Sequence, residues 1–183
     1  MSQVLVVDVE STCWEPQDSK PPLEVSEIIE IGVSLVDINS LTIISNESIL
    51  VRPQRSTQTD FCINLTSITP DMLTDAITYQ QACKRLMDNY KSFNKTMISW
   101  GDYDRTMFHR CCSEYRCQYP FGKRHLNLKN TFTILHGLDR EPGMDKALKM
   151  LNIPLEGTHH RGGDDANNIA KILVHTLKKF RTP

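Results

Sequence analysis

The sequence predicts an α/β fold, one mixed β-sheet with helices on its faces, in a single domain over residues 1–183. Three observations carry that expectation. Strand-like apolar runs fill the first 51 residues, segments with helical spacing fill the second half around one further strand, and no repeat, low-complexity tract or linker divides the chain. A length of 183 residues is that of one domain with its own core.

Val4 to Val9 is a short run of mostly β-branched residues, which suits a central strand buried on both faces. A polar, proline-containing loop from Glu15 to Glu24 follows. Ile28–Val36 and Ile43–Val51 then supply two more strands, so the first three form an antiparallel meander. Thr78 and Gln81 make a capping box, after which Ala82, Leu86, Tyr90 and Phe93 recur at helical spacing. Thr96–Trp100 is a fourth strand. A helix is expected from about Asp102, its N-cap, to Cys117, and another after a cap at Asn127. Gly143–Leu151 is a short helix. The last helix, from about Asp164 to Phe180, carries Ile169, Leu173, Leu177 and Phe180 on one stripe.

Composition excludes several classes. Hydrophobic residues make up 39% and charged residues 23%, as in ordinary globular proteins. The start, Met-Ser-Gln before Val4–Val7, lacks the basic and apolar regions of a signal peptide, and no apolar run reaches membrane-spanning length. The cytoplasm is the expected compartment. The six cysteines show no paired spacing and read as reduced thiols. His109, Cys111, Cys112, Cys117 and His125 lie close in sequence, but their spacing matches no zinc pattern, and core packing is the better reading. Net charge is −1, so no global basic field advertises nucleic acid; an acidic metal site would itself subtract charge that bound cations restore.

Three anomalies suggest chemistry. Asp8-Val9-Glu10 ends an apolar strand with two carboxylates that share a face. Either the strand has ended and both point into water, or a proton or cation relieves their repulsion. Asp104 sits in the first turn of a helix, where an acid suits the dipole, yet it shares the side of Met107, Phe108 and Cys111. The third is His159-His160-Arg161-Gly162-Gly163-Asp164-Asp165. Either His has an Asp five residues on, so spacing alone leaves the register open. The helix face selects Asp165, four residues before Ile169 on the apolar stripe, over Asp164, four before Asn168 on the polar side. His160 faces the site by the same logic. Four inward carboxylates favour Mg²⁺ or Mn²⁺, and two such ions with a nearby imidazole suit phosphoryl chemistry.

In this order, Asp-x-Glu early, Asp mid-chain and His-x₄-Asp at the last helix, the chain resembles the DEDDh (DnaQ-like) 3′-5′ exonuclease superfamily. The branch it is most similar to is that of the enhanced-RNAi and histone-mRNA 3′-end exoribonucleases and their bacterial relatives. The similar segments include Val6–Trp14, Glu27–Gly32, Val51–Pro53, Phe61–Ile68, Ser99–Asp104, Asn127–Lys129 and His160–Ala170. The resemblance implies an RNase-H-like sheet, two Mg²⁺ or Mn²⁺ ions held by Asp8, Glu10, Asp104 and Asp165, and His160 as general base. It further implies release of nucleoside 5′-monophosphates from a free 3′ end of single-stranded nucleic acid, RNA before DNA. Substrate would meet Glu10, Ser11, Thr12, Leu65, Thr66, Lys129 and His160, with Leu65 wedged against the last base. For Leu65, ordinary core packing is the competing reading.

Two features depart from the relatives. Ser67 stands where they often have Gly, and the 183 residues leave no room beside the domain for a separate RNA-binding module, so a stem-loop or duplex preference is not carried over from the relatives. Lys123, Arg124, His125 and Lys129 form a basic cluster that can track phosphates; Lys178, Lys179 and Arg181 read more simply as a solvated face. The other readings are a DNA-directed proofreading or repair exonuclease with the same site, and an inactive fold kept as a nucleic-acid- or protein-binding module.

Overall fold

The structure is a computed structural model that describes residues 2–15 and 25–181. The expected loop from Glu15 to Glu24 lies, beyond Glu15, outside the described residues. Five strands form one sheet in the order β3-β2-β1-β4-β5. They are β1 (Gln3–Ser11), β2 (Ile28–Asp37), β3 (Thr42–Leu50), β4 (Thr96–Ser99) and β5 (His125–Asn127). The first three make the antiparallel meander, and β4 and β5 add in parallel. A mixed sheet flanked by helices is the architecture expected from the sequence.

β1 is the centre of the sheet because Val4 to Val7 can be buried from both sides, and they are. Its residues alternate between two cores. Leu5, Val7 and Val9 pack against Tyr79, Ala82 and Leu86 of α3 (Tyr79–Tyr90) and Met107 and Phe108 of α4 (Tyr103–Glu114). Val4 and Val6 face α5 (Leu128–Leu135), α6 (Met144–Met150) and α7 (Gly162–Arg181) through Leu128, Phe132, Leu148, Ile169 and Leu173. Asp8 and Glu10 continue this second face toward α7.

The capping box of α3 forms as expected, with Thr78 and Gln81 each bonding the other's backbone. Lys91 then turns left-handed (φ 50°) and ends the helix. Phe93 therefore leaves the apolar stripe and stands 55% exposed. α4 stops at Glu114, short of Cys117, and α7 begins at Gly162, two residues before Asp164. β3 runs from Thr42 to Leu50, and Val51 instead bridges to Ile77. Two short helices, α1 (Asp60–Thr66) and α2 (Pro70–Thr74), and strand β5 are additions to the expected elements. Cys112 and Cys117 meet Cys83 rather than the histidines, with sulfurs within 4.8 Å beneath α3 and α4.

Candidate active site

The register of the sheet creates the site. β4 aligns Thr96, Met97 and Ile98 with Val4, Leu5 and Val6, then ends at Ser99. β1 runs on past it, so among the described residues no strand neighbours Asp8, Val9 and Glu10 on that side. The Val9 amide donates instead to Asp104 Oδ1 at 2.9 Å. Asp104 is thus tied to β1 from the first turn of α4 and is 4% exposed.

Asp165 arrives from the opposite element. Gly32, directly across from Asp8, touches the N-terminus of α7 so closely that a Cβ there would lie 1.7 Å from the Gly162 carbonyl oxygen. Beside it, fully buried Glu30 accepts the Gly162 amide at 2.7 Å and two bonds from Arg161, Nε at 3.2 Å and Nη2 at 3.0 Å. Ser48 donates to the same carboxylate. Backbone contact and ion pair together dock the helix start on β2. Asp165, one turn into α7, then falls beside Asp8 and Glu10: one oxygen from each lies within 4.8 Å of the others.

Electrostatics mark the cluster as uncompensated. Burial is the largest cause of a raised pKa at all four acids. Asp8 is held well above the ordinary carboxylate range by burial and then by the charges of Asp104, Glu10 and Asp165. Glu10 is pushed up to about 8 by burial, Asp165 and Glu30. Burial lifts Asp104 to about 7 against the Val9 hydrogen bond, and lifts Asp165 against bonds from His159 and His160. Carboxylates kept this close and this dry need protons or cations. An all-oxygen donor set selects hard divalent ions, so these residues fit Mg²⁺ or Mn²⁺.

The two histidines differ. His159 Nδ1 lies 2.9 Å from Asp165 Oδ2, while His160 donates its backbone N–H to the same oxygen at 2.9 Å. His160 is left-handed (φ 65°), and its ring stacks on that of His159 at 4.0 Å. Burial and the neighbouring His159 keep the His160 imidazole below its usual pKa. Asp164 is turned elsewhere and accepts the Thr158 amide at 2.8 Å.

These groups line a cleft of ≈ 350 Å³ that also includes Trp100, Tyr103, Gly143, Met144, Asp145 and Ile169. Trp100 donates its indole N–H to Pro142 at 3.1 Å, which brings the start of α6 to the cleft wall. Tyr103 is 55% exposed and its hydroxyl meets Ser11 Oγ at 2.6 Å. Both aromatics fall in the family-like segment Ser99–Asp104, but the sequence alone assigns neither a role at the site. Asp102, at the N-cap position of α4, makes no side-chain cap bond and instead accepts Asn127 Nδ2 at 2.9 Å.

Of the expected substrate contacts, Glu10 and His160 line the cleft. Thr12 is buried, with Oγ1 shared between Ser56 and the Glu27 amide. Thr66 is buried and caps its own helix end through Cys62 and Ile68. Leu65 is 36% exposed on α1, and Lys129 pairs with Glu141 at 3.4 Å. Glu27, unremarkable in sequence, is a buried carboxylate that accepts the amides of Gln54, Arg55 and Ser56 and so fixes the segment beside Thr12. No helix among the described residues is long and apolar enough to cross a membrane.

Comparison with known proteins finds exonucleases. The model of the exonuclease family RNase T matches residues 5–173. Human 3′-5′ exoribonuclease 1 is 32% identical over 185 residues, which cover 96% of this chain and 52% of that protein. This chain therefore spans about half the length of that relative. The Bacillus subtilis (strain 168) protein named probable 3′-5′ exonuclease KapD is 25% identical, over 98% of this chain and 87% of its own. The crystallographic nuclease domain of 3′hExo, a DEDDh family member bound to rAMP, superposes with a TM-score of 0.88 at 30% identity, covering 97% of this chain and 92% of that one. The chain belongs to the RNase T exonuclease family, within the DEDDh superfamily.

Proposed function

We propose that this chain is a metal-dependent 3′-to-5′ exoribonuclease that releases nucleoside 5′-monophosphates. The observation that carries this reading is the convergence of Asp8, Glu10 and Asp165, with Asp104 tied to the same strand, in one cleft that also holds His160. Asp8, Glu10, Asp104 and Asp165 would hold two Mg²⁺ or Mn²⁺ ions. Such ions activate water and stabilise the leaving oxygen of a phosphodiester.

The rest is the work of the protein's own groups. His160 takes the proton of the attacking water at a ring nitrogen; its depressed pKa keeps the imidazole neutral, as a base must be. His159 is engaged with Asp165 and positions it. Tyr103 and Trp100 give the cleft apolar surface on which a terminal base can rest. Ser11, Thr12 and Thr66 act through the backbone and the shape they fix, and Leu65 through its exposed edge. RNA is favoured over DNA by the likeness to proteins named exoribonucleases and to a domain solved with rAMP.

The test is digestion of 5′-labelled single-stranded RNA and DNA of one sequence, with Mg²⁺ and with EDTA. A ladder shortening from the 3′ end of RNA, with Mg²⁺ only, is the expected result. Equal ladders on DNA would reassign the sugar preference, and no cleavage of either would overturn the reading.

A further inference from the structure

A second concavity lies beside the cleft, on the other flank of α4. It measures ≈ 410 Å³ and is lined by Phe93, Arg105, His109, Tyr119, Phe121, Gly122 and Lys123. Arg105 follows Asp104 in the chain, and His109 lies one helical turn further on, so cleft and groove share the first two turns of α4. The lining holds two obligate cations and no carboxylate. Its aromatic part is rigid: the His109 and Tyr119 rings stack at 4.1 Å with planes 5° apart, and Tyr119 braces edge-on against Phe108 and Phe121. Phe93, which is 55% exposed, forms a lip of the same groove.

The chain brings that lip there by close backbone packing. Lys91 ends α3 in a left-handed turn, and Gly122 presses on the Phe93 carbonyl so tightly that a Cβ would lie 2.5 Å from its oxygen. An apolar ring left in water, a stacked pair, an arginine and a lysine lining one groove match the needs of an unpaired polynucleotide. Ring faces take bases of any identity, and the cations take phosphates.

Resting on the exoribonuclease reading, we infer that this groove holds the single-stranded segment of RNA upstream of the terminal nucleotide, by base stacking on Phe93 and His109 and phosphate pairing to Arg105 and Lys123. The substrate thus passes along α4 from groove to cleft. The basic residues of the Lys123–Lys129 segment divide accordingly. Lys123 serves the groove, Arg124 is spent on the Asn94 carbonyl at 2.7 Å, and Lys129 on Glu141.

The test compares wild type with the double variant F93A/K123E, both positions being exposed, and with the charge-preserving K123R. Binding of fluorescein-labelled oligo(U) of 12 nucleotides is read by anisotropy in EDTA, and Mg²⁺-dependent hydrolysis is read on a 12-mer and on a dinucleotide. The expected results are roughly tenfold weaker 12-mer binding in F93A/K123E, a smaller salt dependence of that binding, and unchanged kcat/KM on the dinucleotide. K123R should bind like wild type. Unchanged 12-mer binding in a double variant of wild-type melting temperature overturns the groove, even if wild type cleaves RNA. Weakened 12-mer binding in F93A/K123E, beside a wild type that binds RNA but never cleaves it, would leave the groove standing and remove the exonuclease reading instead. A dimer by light scattering that the double variant dissociates, with RNA binding intact, would assign the groove to a second copy and overturn the inference.

Discussion

Gly32 and Gly162 touch backbone to backbone, and this contact sets where the last helix meets the first strand. A methyl group on Gly32 would overlap the Gly162 carbonyl at 1.7 Å and Gly163 N at 2.6 Å. Neither neighbour is a side-chain tip that could swing aside. Gly32→Ala should therefore lift the start of α7 off β2 and carry Asp165 with it. We expect a loss of about 3 kcal/mol in urea unfolding and loss of Mn²⁺ binding by calorimetry. Retained Mn²⁺ affinity in a folded variant would show that α7 is docked by other means.

The Glu30–Arg161 pair makes the same joint electrostatically. Glu30 is fully buried, so Arg161→Met leaves a carboxylate without its cation and should cost about 3–5 kcal/mol. Removing both charges with Glu30→Gln and Arg161→Met should recover most of that loss, measured as a double-mutant cycle. An additive cycle would mean the pair does not interact in solution.

Divalent ions should stabilise the protein more as pH rises. Glu10 and Asp104 have folded pKa values of about 8 and about 7, raised above those of an unfolded chain. In the metal-free protein the favourable state is protonated. That stability is full below the unfolded carboxylate range and is lost as pH climbs through about 7 and 8. A cation replaces the missing protons, so the rise in melting temperature with Mg²⁺ should be larger at pH 8 than at pH 6. Asp104→Asn should raise the metal-free melting temperature at pH 8 and shrink that increment. An increment independent of pH would place the cation elsewhere.

The register at the start of α7 can be tested directly. Asp165→Asn and His160→Ala should each reduce kcat by roughly 10²–10⁴-fold on RNA. Asp164→Asn keeps an acceptor for the Thr158 amide, removes only a charge turned away from the cluster, and should stay within a few-fold of wild type. His159→Ala should weaken Mn²⁺ binding more than it lowers kcat at saturating metal. The reverse order of the two histidines would exchange their roles.

The sheet centre, the α3 capping box and the inward face of α7 were legible because each is written in local periodicity. Asp165 rather than Asp164 follows from one turn of spacing to Ile169, and in the structure Asp165 lies beside Asp8 and Glu10 while Asp164 accepts the Thr158 amide. The companion argument, that Asn168 marks a polar side, was incorrect. Asn168 is fully buried and answers both the amide and the carbonyl of Glu156, at 3.1 and 2.9 Å. Its polarity is satisfied inside rather than in water. Phe93 errs the other way, since one left-handed residue at Lys91 takes it off the stripe. Helices α1 and α2, strand β5, Tyr103 and the Glu27 and Glu30 networks were not legible. Their partners lie many residues away, and no period connects them.

The joint between β1 and α7 also has a consequence in time. Asp8 lies on β1 and Asp165 on α7, so all five strands and six of the helices precede Asp165 in the order of synthesis. A nascent or C-terminally clipped chain carries the first three acids without the fourth, and without the helix start that closes the cluster. Closure of the acidic cluster is therefore a late step of folding: the sheet and the docked start of α7 must both be in place before the three nearest carboxylates meet.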